Sequence, residues 1–550
     1  MTPNPLLTTF VDDRRASRIW AREPTAFLAK PSPDAVNSIG QRLGWLDAPA
    51  GMAEQVADLT AFAAEARRDH LTHVYLLGMG GSSLCAEVLR DVPLVRDGET
   101  RLTVLDTTDE RAIADVTDGL RPEHTLFLVA SKSGTTSEVN ALERYFHGLM
   151  SAALGATAGR HFIAITDPGT PLEAHAAANN YRRTFLNPPS IGGRYSVLSK
   201  FGLVPAALLG ADLGLIIRRA RRMADDCRAN IASNPGLALG AFMGEQAAAG
   251  VDKLTVLMPP ALAPLGPWIE QLVAESTGKE GRGVLPVVDE PFEDLDQFGP
   301  DRAFVVVLTP LSVDLAATAL TLERANRPLF RIQTSPDQLG AEFFRWEFAT
   351  AVAGAVLQIN PFDEPNVRSA KERTKAQLDA YEKAGTLRPD PPLSRVANYH
   401  RRESRPHEPM ASKGRYVAIL DYRPIDLARR PAVALLRRDI RRLTPVATTH
   451  GIGPRYLHST GQYHKGGPNA GFFVMLTSED ATATPIPGSN YTFSVLKRAQ
   501  AFGDFEALAA AGRHVVHFHL DDPETDIAGP VLKALSEIGP RKGPRPDPLR

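Results

Sequence analysis

The sequence predicts an α/β protein with two doubly wound parallel-sheet domains and a third, smaller α/β domain. Short apolar, β-branched runs alternate with longer segments of helical periodicity. The runs are apolar at consecutive positions, which is typical of parallel strands that helices cover on both faces. This pattern restarts twice along the chain. A length of 550 residues, at roughly 150 residues per domain, also suggests three or four domains.

The first predicted domain spans residues 50–235 and follows an N-terminal helical extension over 1–49. Its strands are predicted at 73–77, 101–106, 125–131 and 161–167, and its helices at 83–89 and 138–154. The second domain, at 236–386, repeats the alternation. Its strands are predicted at 253–259, 283–289, 303–309 and 329–334, and its helices at 268–276, 311–324 and 343–357.

A segment rich in proline and charge precedes the third domain. Residues 387–412 (LRPDPPLSRVANYHRRESRPHEPMAS) carry no apolar periodicity and are predicted to be a linker. The third domain, at 413–538, is predicted to contain strands at 416–421, 471–476 and 514–520 and helices at 432–443 and 493–510. The Pro- and Arg-rich residues 539–550 are predicted to be a disordered tail.

Composition excludes several classes of protein. Hydrophobic residues make up 43% and charged residues 23%, as in soluble globular chains. A net charge of −1 argues against nucleic acid as a partner, because phosphate backbones require a basic surface. Two cysteines, Cys85 and Cys227, exclude a disulfide framework. The N-terminus does not resemble a signal peptide and there is no long apolar run, so we expect a cytoplasmic protein without membrane contact.

The first candidate site is the segment GMGGSS at 78–83, between a predicted strand and a predicted helix. Glycines let the backbone approach a ligand closely, and a helix N-terminus favours an anion. It is neither a dinucleotide-binding fingerprint nor a Walker loop. A tight strand–helix turn is an equally good interpretation of this segment alone.

The second candidate site is SKSGTTSE at 131–138, after the predicted strand at 125–131. The four hydroxyls of Ser131, Ser133, Thr135 and Thr136, with free backbone N–H groups, would surround a phosphate. The alternative is helix capping, but one cap needs one hydroxyl, so four favour the anion site. In a doubly wound sheet both segments would lie at the carboxyl edge, where ligands bind.

Together these segments resemble the phosphate-binding loops of sugar isomerase (SIS) domains. Three more segments, GGRYSVLS at 192–199, QLVAESTGK at 271–279 and INPFDEPNVRSAK at 359–371, narrow the resemblance to the phosphoglucose isomerase family. The segments AESTGKEGRGVLPV and HSTGQYHKGGPN are most similar to the isomerase half of fused transaldolase/phosphoglucose isomerase proteins. The five motifs follow the family's order over roughly residues 70–375.

The resemblance implies a set of residues that bind the substrate. Those matching the family's phosphate ligands are Ser131, Lys132, Ser133, Thr135 and Thr136. Those implied to contact the sugar are Gly80, Gly81, Ser82 and Glu364. At 364 the family usually has glutamine, and Asn366 and Arg368 also depart from its pattern.

The resemblance also implies a catalytic group. Glu275 matches the base that moves a proton between C2 and C1, and partial burial should raise its pKa for that task. Without the resemblance it would be a solvated helix-end glutamate. Arg194 matches the arginine beside the enediolate, where a guanidinium stabilises negative charge, and its alternative is a surface ion pair. Lys371 matches the lysine that assists ring opening.

Ring opening normally also involves a histidine, and no histidine lies between His175 and His400. We therefore expect the third domain, or the same domain of a neighbouring subunit, to supply it. His464, followed by GGPN, is the first choice, with His458 and His450 as rivals. The alternative is that these are surface-loop histidines.

The function implied is that of an aldose–ketose isomerase acting on glucose 6-phosphate and fructose 6-phosphate, without metal or redox cofactor. The alternatives are an isomerase that also accepts mannose 6-phosphate and a non-catalytic sugar-phosphate-binding regulator, which would have no need of Glu275. The family commonly forms dimers, so a homo-oligomer is expected. In HVVHFHL at 514–520, strand alternation places His517 and His519 on one face and His514 on the other, which favours a strand over a metal site.

Overall fold

The computed structural model describes residues 5–96, 99–291, 294–389, 391–396, 398–404 and 415–538. Five helices precede the first strand: α1 Pro5–Asp12, α2 Arg15–Trp20, α3 Pro33–Gly40, α4 Ala48–Ala53 and α5 Val56–Arg68. They are amphipathic and bury side chains such as Phe10, Ile19 and Phe62 in the main core.

The first sheet is parallel, as predicted, with strand order β2-β1-β3-β4-β5. The strands are β1 His73–Gly78, β2 Arg101–Leu105, β3 Thr125–Ala130, β4 Phe162–Thr166 and β5 Arg183–Leu186. The helices between them are α6 Leu84–Asp91, α7 Glu110–Asp118, α8 Ser137–Leu154 and α9 Pro171–Ala178. The four predicted strands are confirmed. The short β5, which is less buried, was not predicted.

Three helices lead to the second sheet: α10 Lys200–Leu208, α11 Leu213–Asp226 and α12 Pro235–Ala248. This sheet is also parallel, with order β7-β6-β8-β9. Its strands are β6 Lys253–Leu257, β7 Leu285–Val287, β8 Arg302–Leu308 and β9 Leu329–Gln333. Its helices are α13 Leu265–Thr277, α14 Val313–Arg324, α15 Leu339–Leu357 and α16 Val367–Ala384. The main core runs through both sheets, so the predicted boundary near 235 remains a proposal.

The third sheet is mixed, with order β10-β11-β15-β14-β12-β13. Its strands are β10 Ser394–Val396, β11 Tyr399–Glu403, β12 Tyr416–Asp421, β13 Ala447–Ile452, β14 Gly471–Ser478 and β15 His514–Leu520. Strands β12 to β15 are parallel, and β11 is antiparallel to β15. Its helices are α17 Arg430–Leu443, α18 Gly461–Gly466, α19 Phe493–Ala510 and α20 Ala528–Ile538.

The segment 387–412, predicted to be a linker, contributes two strands to the third sheet. Residues Tyr399–Glu403 form β11, which pairs in register with β15, and β10 pairs with β11 in turn. Backbone pairing with a strand distant in sequence supplies the order that the local pattern lacks. The predicted tail at 539–550 lies outside the described residues.

The third sheet is joined to the first by buried polar contacts. Lys497 of α19 donates to Asp109, which follows β2, at 2.8 Å. Glu110 accepts hydrogen bonds from the backbone N–H groups of Thr484 (3.0 Å) and Ser494 (2.8 Å). These contacts hold the carboxyl edges of the two sheets against one another. In the part of the chain that the structure describes, no helix combines the length and the apolar character that crossing a membrane requires.

Candidate active site

The two glycine- and hydroxyl-rich loops lie side by side. Strands β1 and β3 are hydrogen-bonded neighbours, with Gly78 opposite Ala130 at their carboxyl ends. The segments that follow them therefore start at the same edge of the sheet, as the sequence predicts. A Cβ on Gly81 would lie 2.0 Å from the carbonyl oxygen of Gly193, so glycine is required there for the chain to pass.

The hydroxyls of the second loop contact one another and do not cap a helix. Ser131 and Thr136 are 3.0 Å apart through their side-chain oxygens, and Ser133 and Thr135 are 2.9 Å apart. Thr136 occupies the N-cap of α8, yet its side chain caps none of the described N–H groups of the first turn. This arrangement disfavours the capping alternative and favours an anion site at the N-terminus of α8.

Lys132 takes a different position from the hydroxyls of its loop. Its ammonium pairs with the carboxylate of Asp167, after β4, and donates to the carbonyl of Pro189 at 3.1 Å. The buried Ser82 is at the first loop, next to Gly81. The structure thus brings the predicted hydroxyls together and ties the Lys132 ammonium to a protein carboxylate.

Arg194 is the centre of the site. It lies in a short 3-10 turn, Gly193–Tyr195, and its side chain is only 3% exposed, so the alternative of a surface ion pair is wrong. Its guanidinium bonds five acceptors: Ser276 Oγ (2.8 Å), Glu275 Oε1 (3.1 Å), Glu364 Oε2 (3.1 Å) and the carbonyl oxygens of Pro361 (2.9 Å) and Asp363 (3.0 Å).

Glu275 lies in the last turn of α13 with its side chain 13% exposed. It is therefore not the solvated helix-end glutamate that local sequence would suggest. Its second oxygen accepts from Gln271 Nε2 at 3.1 Å, one helical turn earlier. Burial raises the pKa of Glu275, and the positive charge of Arg194 opposes this rise. The result is a carboxylate whose basicity exceeds that of an ordinary glutamate.

Lys279 is a second buried cation beside Arg194, and no role was assigned to it from sequence. Lys279 follows α13 and donates to Asp363 Oδ1 at 2.7 Å and to the carbonyl of Asn360 at 2.5 Å. Burial lowers the pKa of its ammonium to about 8. Because the same segment supplies two carbonyls to Arg194, Lys279 fixes the acceptors that orient the guanidinium. Lys279 is the last residue of AESTGK, so its place in that family motif could have marked it as a site residue.

Lys371 is not brought against this centre. It is exposed on α16, and the structure places neither Glu275 nor Arg194 in contact with it. Glu364, by contrast, reaches Arg194 directly.

The structure reverses the order of the candidate histidines. His464 is buried among aromatic rings, with its Nδ1 3.0 Å from Tyr416 OH and its ring centre 5.1 Å from that of Phe473. Burial holds the pKa of His464 well below its usual range, so it is a core residue. His450 faces Asp421 at the end of β12, 3.6 Å away. The preference for His464 is therefore corrected in favour of His458.

His458 connects the third sheet to both loops. Its Nε2 is 2.8 Å from Glu138 Oε1, in the first turn of α8. Its carbonyl accepts from Gln271 Nε2 at 2.8 Å, the same amide that contacts Glu275. Gly80, in the left-handed conformation, passes so close that a Cβ would lie 2.6 Å from the His458 carbonyl oxygen.

Glu138 and Gln500 complete this arrangement, and neither was assigned a role from sequence. Gln500 of α19 donates to Glu138 Oε1 at 2.7 Å. Burial alone would raise the pKa of Glu138, but the contact with His458 lowers it to about 2. Glu138 is part of the quoted SKSGTTSE segment, whereas no local signal marks Gln500, because only folding brings α19 to α8.

Comparisons with known proteins agree with this architecture. The fold is that of sugar isomerase domains, as predicted. A crystal structure of a glucose-6-phosphate isomerase from Chlamydia trachomatis superposes with a TM-score of 0.52 at 20% identity, covering 68% of this chain and 78% of that one. A hypothetical protein of Thermus thermophilus superposes with a TM-score of 0.60 at 23% identity, covering 68% and 96%. At these identities the likeness shows the fold alone.

Sequence comparison identifies the family. A family model described as phosphoglucose isomerase matches residues 53–282. A glucose-6-phosphate isomerase of Rubrobacter xylanophilus is 30% identical over 366 residues, which are 58% of this chain and 84% of the relative. One of Carboxydothermus hydrogenoformans is 28% identical over 395 residues, 61% of this chain and 85% of the relative. The chain belongs to the phosphoglucose isomerase family, which confirms the prediction from its motifs.

Proposed function

We propose that this chain is a glucose-6-phosphate isomerase, interconverting glucose 6-phosphate and fructose 6-phosphate through a cis-enediolate. The observation that carries the proposal is the nearly buried Glu275 carboxylate, held between Arg194 and Gln271 at 3.1 Å from each. Family membership and the names of the relatives support the same activity.

Glu275 is proposed to take the proton from C2 and return it to C1 on the same face of the enediolate. One carboxylate suffices for both steps, and its raised pKa lets it hold and release a proton nearer to neutrality. As the proton leaves, negative charge develops on the oxygens at C1 and C2. The guanidinium of Arg194, whose side chain is buried, is proposed to stabilise that charge.

His458 is proposed to open the sugar ring before this step. Its contact with Glu138 at 2.8 Å orients the imidazole, which is proposed to exchange a proton with the ring oxygen. His458, Glu138 and Glu275 all come from one chain, linked through Gln271. This arrangement favours delivery of the histidine by the third domain over delivery by a neighbouring subunit.

The hydroxyl-rich loop of Ser131, Ser133, Thr135 and Thr136 is proposed to bind the 6-phosphate. The substrate would then extend from the N-terminus of α8 towards Glu275. The phosphate is remote from C1 and C2, so its contacts should contribute binding energy that the ground and transition states share.

The test is a coupled assay with glucose 6-phosphate and with mannose 6-phosphate, each with and without EDTA. We expect turnover of glucose 6-phosphate that EDTA does not reduce and that Glu275→Gln abolishes. The two sugars differ at C2, so their ratio measures the selectivity of the Glu364 side of the pocket. Tight binding of the sugar phosphate without turnover would support a non-catalytic regulator and overturn the proposal.

A further inference from the structure

The guanidinium of Arg194 has no N–H group left for a substrate. It carries five N–H donors, and the structure shows five hydrogen bonds to protein acceptors. An enediolate oxygen can gain a hydrogen bond from Arg194 only by replacing one of these acceptors. One protein contact must therefore break during the reaction proposed above, on which this inference rests.

The five acceptors are not equally replaceable. Ser276 is buried, and Pro361 and Asp363 contribute backbone carbonyls that cannot turn away independently of the chain. Lys279 also restrains the loop that carries these carbonyls through its hydrogen bonds to Asn360 and Asp363. Glu275 must stay as the base. The Glu364 side chain is 37% exposed, against 13% for Glu275, so its carboxylate can return to water at the least cost.

We propose that Glu364 is a placeholder ligand of Arg194, whose carboxylate occupies the guanidinium N–H that a C1 or C2 oxygen of the substrate takes over. Glu364 Oε2 and Glu275 Oε1 both lie 3.1 Å from Arg194 Nη1. Glu364 thus keeps the guanidinium turned towards the reacting atoms in the free enzyme. It also limits Glu275 to a single contact with Arg194, so that the base is not held in a two-pronged ion pair.

The charges around Glu275 give a second consequence of the same contact. Arg194 and Tyr195 face it from the 3-10 turn, Lys279 from the segment after α13, and Glu364 from the loop before α16. Burial is the largest cause of the raised pKa of Glu275, and Glu364 raises it further. Removing the charge of Glu364 should lower that pKa, so the loss of kcat/KM on acidification should move to lower pH.

The decisive probe is a five-carbon sugar-acid phosphate, whose C1 carboxylate carries charge where the enediolate does. Glu364→Gln and Glu364→Ala should both bind it about tenfold or more tightly than the wild type, because a charged hydrogen bond no longer has to be broken. Glu364→Asp distinguishes two explanations for tighter binding: loss of the hydrogen bond between Glu364 and Arg194, and loss of charge repulsion between Glu364 and the probe. It keeps the charge, but its side chain is one methylene shorter and cannot span to Arg194, so it too should bind the probe more tightly.

Controls make the outcomes distinct. Glu372→Gln removes the same charge from an exposed pair with Arg368 on α16 and should leave the affinity for the probe unchanged. Inorganic phosphate, which lacks the C1 carboxylate, should bind all variants equally. Unchanged affinity for the probe in Glu364→Asp would overturn the placeholder role. Absence of glucose 6-phosphate turnover in the wild type would instead overturn the proposed function.

Discussion

The first and third sheets present the same kind of edge but use it in opposite ways. After β1 and β3 the first sheet leaves glycines, hydroxyls and helix N–H groups available at its carboxyl edge. At the corresponding edge of the third sheet, after β12 and β14, charged side chains form ion pairs with other protein groups. Asp421 pairs with Arg423 at 2.7 Å, and Asp480 pairs with Lys497. A parallel sheet thus offers a ligand site at this edge only where the protein leaves the edge unfilled.

The largest change in activity should come from Glu275, in the part of the site formed by the first and second sheets. Glu275→Gln should lower kcat by roughly 100- to 10,000-fold, because the isosteric amide cannot accept the C2 proton. Calorimetry should show sugar-phosphate affinity within a few-fold of the wild type. A variant retaining a third of wild-type turnover would remove Glu275 from the mechanism.

The contacts between the first and third sheets should dominate stability. Lys497→Met leaves Asp109 and Asp480 buried without their cation, which should cost about 3–5 kcal/mol in the free energy of unfolding measured by urea titration. Arg498→Met is the matched control, since its neighbouring pair with Glu479 is solvent-exposed and should contribute less than about 1 kcal/mol. Equal losses in the two variants would contradict a buried junction.

His458 and His464 test the third sheet directly, because they lie six residues apart in different environments. His458→Ala should slow turnover of the cyclic substrate about 100-fold, and it should also lower the free energy of unfolding, because the buried Glu138 carboxylate loses its imidazole partner. His464→Ala should retain most of kcat but lower the free energy of unfolding by about 2–4 kcal/mol, because it opens a cavity among aromatic rings. A larger kcat loss in His464→Ala at matched stability would restore His464 as the catalytic residue.

The smallest effect should come from the phosphate loop. Ser133→Ala combined with Thr136→Ala should raise KM about tenfold and change kcat much less, since two hydrogen bonds to a remote phosphate are lost in both states. Phosphate at tens of millimolar should raise the apparent KM of the wild type and affect the double variant less. If phosphate leaves KM of the wild type unchanged, the loop is not the phosphate site.

The linker segment shows where local pattern fails. Its charged, proline-rich sequence predicts no structure, yet Tyr399–Glu403 pairs with β15 over its full length. Strand β13 was missed for a related reason, since ATTHGI has little apolar character but lies at one side of a buried sheet. In both cases the partner strand supplies the order, and it is distant in sequence.

Local pattern was enough to predict the parallel sheets and the two candidate ligand loops, and the resemblance of short segments to a known family was enough to single out Glu275 and Arg194. These depend on periodicity and on motifs whose residues are close in the chain, so a linear pattern contains them. Folding alone determines which histidine faces the loops, that Lys279 and Gln500 support the site, and that Glu364 shares Arg194 with the base. Those contacts join residues more than eighty positions apart, and burial, which sets the pKa of Glu275, exists only once the sheets have come together.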